Sequence, residues 1–431
     1  MRRLFPLLKG ERQPHGWMER AGMALLGIVG HGYGLLQAGR VRAYQKGIVL
    51  QPWQADCPVV AVGNLTAGGT GKTPMVAWLG RFFLSRNVRL AIVSRGYKQR
   101  SRSPITLVAD PNGRILRAPE AADEAVLLAH ELPGATILTG ANRRLLIRHA
   151  TQRLGCRLVL MDDAFQHVPV RRDLDVLLLD AHNPLGNGRI LPGGLLREYP
   201  AAMARAHAII MTRAAQEEDR LATSAVIHQF APGMPTAYCY HKPLHWIRVS
   251  DGQILPLDAL KGQQVLAFCG IAQPESFRDT LRDIQVSPVH FIAYPDHHVV
   301  TASEIRQLEA LAHSCGATEW VTTQKDWVKI PLNATHLPLY VLVIGICFPE
   351  PFSWLVEQLE NLACLAGGHT IERNKSVCRN TVKMLSDVSD VSDVSDVSDV
   401  SDVSDWVGIS YQSDTSDTLD IESGSECQYK K

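Results

Sequence analysis

A glycine-rich segment between an apolar run and a helical stretch has the residue types that bind phosphate. The apolar run is Val59-Val-Ala-Val, and the helical stretch begins near Pro74. Glycines let backbone amides curl around phosphate oxygens, and a helix start adds partial positive charge. Thr66 stands where the strict motif has glycine, but the strand–loop–helix context disfavours an ordinary turn. The expected contacts with nucleotide phosphates, those of ATP if the chain is a kinase, are Thr66, Ala67, Gly68, Gly69, Thr70, Gly71, Lys72 and Thr73.

Two adjacent carboxylates follow another apolar run and are the expected metal contacts. Leu158–Met161 leads directly into Asp162 and Asp163. A phosphate loop needs an acidic contact to its Mg²⁺ at the end of a buried strand, and neighbouring carboxylates repel unless a cation is present. Asp180 competes for this role, although a helix cap or turn is the more ordinary explanation of a single aspartate. The expected Mg²⁺ ligands are Thr73, Asp162 and Asp163.

Further polar side chains follow apolar runs and are candidates for binding a phosphorylated substrate. Ser94-Arg-Gly-Tyr follows one run, and Asp163-Ala-Phe-Gln-His extends the acidic pair. Other loops with polar or glycine-rich character lie at 186–198, 295–298 and 323–326. The expected substrate contacts are Arg95, Gln166 and His167.

The elements that must position these residues alternate between strands and helices. Near-continuous apolar runs predict strands buried on both faces of a parallel sheet. They lie at 59–62, 90–93, 158–161, 176–179, 208–211, 265–269, 291–293, 320–322 and 339–344. Helical periodicity between them is clearest at 74–85, 123–130, 142–154 and 303–313. This alternation predicts an open α/β fold with helices on both faces of the sheet.

A hairpin signal and changes in composition divide the chain into segments. Two apolar runs within His245–Leu257 flank Ser250-Asp-Gly-Gln, and a DG turn between such runs favours a hairpin. It is interpreted as a ribbon between two domains, the alternative being an edge hairpin on a single sheet. The expected segments are a basic and apolar, membrane-associating helical segment (1–50), a phosphate-loop domain (51–240), the ribbon (241–258), a smaller α/β domain with a returning C-terminal helix (259–365) and a low-complexity disordered tail (366–431).

The net charge of +1 hides two opposing ends. Residues 1–50 include eight basic and two acidic side chains, whereas residues 366–431 include six basic and thirteen acidic ones. This balance argues against a uniformly basic nucleic-acid binder. The tail contains six tandem Ser-Asp-Val triplets, whose period of three holds no steady apolar face, so disorder is expected. Nine dispersed cysteines without metal-ligand spacing predict reduced thiols and no zinc site.

Nineteen residues without formal charge lie between Arg20 and Arg40. The stretch is marginally long enough to span a bilayer, but six of its residues are glycine and His31 lies at its centre. Two interpretations remain open. In one, the helix lies in a membrane interface with its basic flanks on anionic lipid. In the other, it is a packed helical element with a solvated basic flank.

The ordered motifs resemble those of the tetraacyldisaccharide 4'-kinase family, the lipid A 4'-kinases of Gram-negative bacteria. The matching segments are GNLTAGGTGKTP, SRGY, ADEAVLLA, DDAFQH, GNGRILPGGLLRE, YPDHH and TTQKD, within residues 15–360. Ala122, Ala164 and Gln324 depart from the usual pattern. The resemblance implies two α/β/α units, a P-loop NTPase-like domain and a smaller one, joined by a two-stranded ribbon with ATP in the cleft between them.

The resemblance also implies roles for residues that would otherwise have ordinary explanations. Asp123 is implied as the catalytic base and His297 as its partner, although alone they would be a helix N-cap and a loop histidine. Arg197 and Glu198 are implied near ATP or Mg²⁺. Lys325 and Asp326 are implied near the nucleotide base. The implied catalytic residues are therefore Asp123, His297 and Lys72.

The implied reaction moves the γ-phosphoryl group of ATP to the 4'-hydroxyl of tetraacyldisaccharide 1-phosphate. The implied location is the cytoplasmic face of the bacterial inner membrane, where the protein is peripheral or monotopic and needs no obligate protein partner. Two other classes fit a P-loop: a metallochaperone-type GTPase switch, since Thr323-Gln-Lys-Asp can read guanine, and an ATP-driven assembly protein. A switch predicts GTP preference and a protein partner, whereas a kinase predicts a phosphorylated lipid.

Overall fold

The computed structural model describes residues 5–47, 51–330 and 337–367. Ten α-helices are described in these ranges: α1 (Phe5–Lys9), α2 (Gly16–Gln45), α3 (Lys72–Leu84), α4 (Asp123–Glu131), α5 (Arg143–Gln152), α6 (Glu217–Phe230), α7 (Pro274–Asp283), α8 (Ala302–Cys315), α9 (Gln324–Trp327) and α10 (Ser353–Gly367). Short 3₁₀ helices occur at Pro200–Arg205 and Leu257–Leu260. The predicted disordered tail lies outside the described residues from 368 onward.

Eight strands form the sheet of the first lobe, which we define as this sheet and the helices packed on it. The strands are β1 (Val59–Asn64), β2 (Leu90–Ser94), β3 (Thr106–Ala109), β4 (Thr136–Thr139), β5 (Leu158–Met161), β6 (Leu174–Asp180), β7 (Ala208–Thr212) and β8 (Thr236–Tyr238). Their order is β3-β4-β2-β5-β1-β6-β7-β8, and only β3 pairs antiparallel. The central strands are fully buried, which is why they read as continuous apolar runs.

Six strands form the sheet of the second lobe, defined in the same way. The strands are β9 (Tyr240–Arg248), β10 (Ile254–Leu255), β11 (Val265–Cys269), β12 (His290–Ala293), β13 (Glu319–Thr323) and β14 (Leu339–Cys347), in the order β10-β9-β14-β13-β11-β12. Strands β11 to β14 pair in parallel. The α/β architecture predicted from the alternating pattern is therefore confirmed.

The predicted hairpin is present, but the connection between the lobes is longer than that hairpin. Strand β10 pairs with the end of β9 and forms the edge of the second sheet. Strand β9 begins two residues after β8 ends, and its antiparallel partner over most of its length is β14. Helix α10 follows β14 and returns its apolar side chains to the core of the first lobe. Two strands, β9 and β14, thus carry the chain between the lobes.

Three strands of the first lobe have no counterpart among the predicted apolar runs. Strands β3, β4 and β8 are three or four residues long, and each begins with threonine. Such short segments give too little alternation or apolar content to stand out in a sequence. They lie at the two ends of the sheet, where they extend strands that the sequence does predict.

One face of α2 packs against the glycine-rich loop at 186–198. Gly30 and Gly34 are buried there, and a Cβ added to either would lie 2.4 Å from an atom of Ile190. Tyr199 donates its hydroxyl to the His31 carbonyl at 3.2 Å, and Arg189 Nη1 donates to the Met23 carbonyl at 3.0 Å. The glycines that make α2 a poor membrane span therefore allow close contact with the first lobe.

The opposite face of α2 is apolar and exposed. Its large exposed side chains are Trp17, Met18, Leu25, Ile28, Val29, Tyr33, Leu35 and Leu36. At 100° per residue, all of them except Tyr33, which lies at the margin, occupy the half of the helix surface that faces away from Gly30 and Gly34. No helix in the described ranges has both the length and the apolar content to cross a membrane. The packed-helix interpretation therefore concerns the face with the buried glycines. The membrane-interface interpretation, which stays a prediction, concerns the exposed apolar face.

Candidate active site

The phosphate loop connects β1 to α3, forms hydrogen bonds with side chains of β1 and β7, and adjoins a histidine of β9. Asn64 Nδ2 donates to Thr70 Oγ1 at 2.8 Å, and Thr212 Oγ1 donates to the Thr70 carbonyl at 3.1 Å. Gly71 precedes α3 with φ of +77°, in the left-handed region that favours glycine. A Cβ at Gly71 would also lie 3.1 Å from His241 Nε2. The loop therefore presents the start of α3 in a fixed conformation.

Lys72 and Arg197 place positive charge beside the acidic pair. Lys72 Nζ lies 3.8 Å from Asp163 Oδ1, and Arg197 Nη1 donates to the same oxygen at 2.8 Å. Burial opposes ionisation of Asp163, but Lys72 and then Arg197 outweigh it, so the pKa of this carboxyl lies below its ordinary value. The predicted neighbours Lys72, Asp163 and Arg197 are thus brought together.

Asp162 has a different environment from its neighbour. It is buried, and its Oδ1 atom has no hydrogen-bond partner among the described residues. Burial, followed by the charges of Glu124 and Asp163, raises the pKa of Asp162 to about 7. An unpartnered buried carboxylate oxygen facing like charges fits the binding of a cation. The competing residue Asp180 is instead paired with Arg213, whose Nε donates to Asp180 Oδ1 at 3.0 Å.

Asp123 and His297 come from different lobes and form a hydrogen-bonded pair, called the dyad below. Asp123 is the first residue of α4, and His297 lies in the loop after β12. His297 Nδ1 donates to Asp123 Oδ2 at 2.7 Å, with both side chains largely buried. The helix begins after Ala122, so the side chain of Asp123 is not its N-cap. These residues are 174 positions apart, and only the tertiary fold joins them.

The dyad is surrounded by charges that keep Asp123 ionised. Burial alone would raise the pKa of Asp123, but the hydrogen bond from His297 and the charges of Lys325 and Lys329 bring it below the ordinary value. Lys325 Nζ also donates to Asp296 Oδ1 at 2.9 Å. A carboxylate that is ionised at neutral pH and oriented by an imidazole is suited to accept a proton.

Two residues assigned by resemblance are buried among protein partners. Both oxygens of Glu198 accept from Arg205, at 2.9 and 3.0 Å. Asp326 accepts from the Gly270 amide, Thr323 and Lys329, all in the second lobe. The contacts of Glu198, Lys325 and Asp326 with ATP therefore stay predictions, whereas Arg197 directly adjoins the acidic pair.

The predicted substrate contacts lie beside the acidic pair and differ in exposure. Gln166 Nε2 donates to the Asn64 carbonyl at 2.9 Å, and Arg95 is exposed. His167 is partly buried, and burial lowers its pKa to about 4, with a further contribution from surrounding arginines. Those arginines are Arg143, Arg172, Arg40 and Arg95, so α2 contributes to this positive region.

Three residues near the site were not predicted as site residues. Glu124 follows Asp123 and raises the pKa of Asp162. Arg143 is buried at the start of α5, and its charge lowers the pKa values of Asp162, Asp163 and His167. His241 lies against the phosphate loop from β9. Glu124 lies within a quoted motif, but Arg143 and His241 carry no local signal, because their places depend on strand order.

Comparisons with known proteins identify the family of this chain. The family model described as "Tetraacyldisaccharide-1-P 4'-kinase" matches residues 23–361. The tetraacyldisaccharide 4'-kinase of Syntrophus aciditrophicus is 38% identical over 298 residues, covering 67% of this chain and 79% of that protein. The tetraacyldisaccharide 4'-kinase of Desulfatibacillum aliphaticivorans is 37% identical over 336 residues, covering 76% and 89%.

A solved structure shares the fold. The crystal structure of LpxK from Aquifex aeolicus in complex with ATP superimposes with a TM-score of 0.64 and 27% identity, covering 79% of this chain and 99% of that one. Each of these relatives is a kinase by name or family, and none supports the GTPase switch. With most of its length matched by the family model, this chain belongs to the tetraacyldisaccharide-1-P 4'-kinase family.

Proposed function

We propose that this protein transfers the γ-phosphoryl group of ATP to the 4'-hydroxyl of a tetraacylated disaccharide 1-phosphate. The observation that carries the proposal is the hydrogen bond between Asp123 and His297 at the start of α4. The next residue, Glu124, contributes to the raised pKa of Asp162, which supports a position of the dyad near the acidic pair. A general base beside a phosphate loop is what transfer to an alcohol requires.

The chemistry divides between the two lobes. The phosphate loop and Lys72 hold the β- and γ-phosphates and offset charge that develops during transfer. Asp123 accepts the proton of the attacking hydroxyl, and His297 orients the carboxylate through their hydrogen bond. Because His297 belongs to the second lobe, an arrangement that brings the lobes together completes the base and excludes water.

The residues around Asp162 fit Mg²⁺, which a P-loop kinase requires. Thr73, Asp162 and Asp163 would hold it, and the unpartnered Oδ1 of Asp162 is the best evidence for that fit. Mg²⁺ bound with nucleotide phosphates commonly takes only one or two protein carboxylates. When bound, the ion would neutralise charge on the phosphates.

Arg95, Gln166 and His167 are proposed to bind the substrate in the positive region beside the acidic pair. Four arginines act on His167, and the Arg172 Nη1 atom donates to its carbonyl at 2.7 Å. Burial among these cations keeps the His167 imidazole neutral at physiological pH. A phosphorylated sugar is attracted to such a region, since guanidinium groups bind phosphate oxygens in pairs.

The proposed reaction is tested by incubating the purified protein with Mg²⁺, γ-labelled ATP and the disaccharide 1-phosphate lipid in detergent. Label is expected in the lipid, with ATP preferred over GTP. Parallel reactions receive GTP, or ATP without lipid. Nucleotide hydrolysis that is independent of lipid, with no labelled lipid, would overturn the kinase proposal and favour a switch or assembly protein.

The exposed face of α2 is proposed to rest on the anionic membrane surface that contains the lipid substrate. Ile28 is 70% exposed and Leu36 is 74% exposed, so burying them in lipid removes apolar area from water. Arg20, Arg40 and Arg42 on this helix are exposed and can each add about 1 kcal/mol beside anionic lipid. Together with the family resemblance, this surface supports a location at the cytoplasmic face of the bacterial inner membrane.

Replacing Ile28 and Leu36 together with glutamate is expected to weaken binding to anionic vesicles at least tenfold. The change removes two apolar contacts and adds two negative charges on the face opposite the buried glycines. Vesicle sedimentation measures binding, and activity on detergent-dispersed lipid measures the intact site. The control is Leu221→Glu, an exposed leucine on α6. Equal binding of the double variant and the control would contradict membrane contact through α2.

A further inference from the structure

The short helix α9 forms hydrogen bonds with residues near both Asp123 and His297. Gln324 Nε2 donates to Glu131 Oε1 at 3.1 Å, and Glu131 ends α4, the helix that Asp123 begins. Lys325 Nζ donates to Asp296, the residue before His297. Helix α9 thus lies between the helix of the carboxylate and the loop of the imidazole.

Asp326, the third residue of α9, contacts this loop indirectly through buried groups. Its Oδ2 atom accepts from the Gly270 amide at 2.9 Å and from Thr323 Oγ1 at 2.7 Å. Its Oδ1 atom accepts from Lys329 Nζ at 2.8 Å. Asp326 and Lys329 are both buried. Both carboxylate oxygens are therefore engaged within the second lobe.

Gly270 links Asp326 to the loop that carries His297. It directly follows β11, and its carbonyl accepts from the His297 amide at 3.2 Å. A Cβ at Gly270 would lie 3.1 Å from Asp326 Oδ1 and 3.2 Å from the Pro295 carbonyl. The loop is thus packed closely against the Gly270 backbone that Asp326 holds.

His297 needs such support because of its backbone conformation. Its φ is +64°, in the left-handed region that residues other than glycine seldom adopt. A conformation of this kind persists when the surrounding structure fixes it. The Gly270 carbonyl holds the His297 amide, and the Asp326 carboxylate holds the Gly270 amide.

We propose that Asp326 is a positioning residue that fixes His297 in the dyad, and not a ligand of the nucleotide. The inference rests on the proposed function, because it concerns the geometry of the proposed base. A loop displaced by about 1 Å lengthens the hydrogen bond to Asp123, and misplacement on that scale costs about a hundredfold in rate. Binding of ATP at the phosphate loop does not depend on that hydrogen bond.

The test is Asp326→Asn in the full chain, with initial rates measured over a range of ATP concentrations. The expected result is a kcat lower by about tenfold to a hundredfold, with a KM for ATP within about twofold of wild type. The control is Asp258→Asn, an exposed aspartate of the second lobe, which should change neither value. A raised KM for ATP with unchanged kcat would overturn the inference and assign Asp326 to the nucleotide.

Two further variants separate positioning from a loss of folding. Gly270→Ala leaves both charged groups of the Asp326–Lys329 pair in place but crowds Asp326 Oδ1 and the Pro295 carbonyl, so it should lower kcat in the same way. In a His297→Ala background, Asp326→Asn should add no further loss, since the side chain that it positions is gone. An undiminished further loss there would overturn the inference. If wild-type protein transfers no phosphoryl group to lipid, the proposed function itself fails.

Discussion

Replacing Asp123 with asparagine is expected to lower kcat by about 10²–10⁴-fold while ATP binding is retained. Asparagine keeps the size of the side chain, and its amide oxygen can still accept a hydrogen bond from His297 Nδ1. It cannot take a proton from the sugar hydroxyl, so only the base is lost. Phosphoryl transfer to lipid measures the first effect, and equilibrium binding of labelled ATP measures the second.

The partner variant His297→Gln is the matched comparison for this prediction. A smaller loss is expected, because the carboxylate remains and only its orientation and charge environment change. Without the histidine, the pKa of Asp123 should rise, since the hydrogen bond is one of the contributions that lower it. Activity of Asp123→Asn above a tenth of wild type would remove Asp123 from the role of base.

Replacing Lys72 with alanine is expected to lower kcat by about 10²–10³-fold and to weaken ATP binding as well. Its ammonium group lies 3.8 Å from Asp163 and 3.5 Å from the Gly68 carbonyl, at the start of α3. Without that charge, Asp162 and Asp163 repel the nucleotide phosphates with less compensation. Transfer assays and ATP binding together distinguish this variant from Asp123→Asn, which should affect transfer alone.

Lys261→Ala is the control for this change. Lys261 is exposed in the second lobe, and its loss alters the net charge by the same amount. It should bind ATP and transfer phosphate as the wild-type protein does. If Lys72→Ala behaved like this control, the glycine-rich loop would not be the phosphate site.

Local signals in the sequence sufficed for the phosphate loop and for most of the strands. The turn from β1 to α3 depends on glycines and a helix start that are consecutive in the chain, so its chemistry is visible without a fold. Buried parallel strands are apolar on both faces, which made eight of them detectable as continuous runs. The ninth run is β12, a half-exposed strand at the edge of the second sheet. The resemblance of seven ordered segments was sufficient to predict the family, which the comparisons confirm.

Tertiary structure decided how the distant charged residues are paired. Sequence motifs contain Glu198 and Asp326, but the fold buries them against Arg205 and Lys329. The fold also gives two adjacent carboxylates different environments. Asp162 has an unpartnered oxygen, whereas Asp163 faces Lys72 and Arg197. Whether a carboxylate binds a ligand or supports the protein depends on its neighbours, and strand order brings those neighbours from remote segments.

Helix α2 shows the same difference between what the sequence indicates and what the tertiary structure decides. Composition alone identified a long uncharged stretch with six glycines, but it could not say which side chains face the protein. In the structure, Gly30 and Gly34 meet the loop at Ile190, and the large apolar residues point away from it. The sequence by itself determined the phosphate loop, the α/β pattern and an apolar helix, because each depends on neighbouring residues. Only the tertiary structure decided the dyad, the partner of each carboxylate and the free face of α2, because those depend on contacts between residues far apart in the chain.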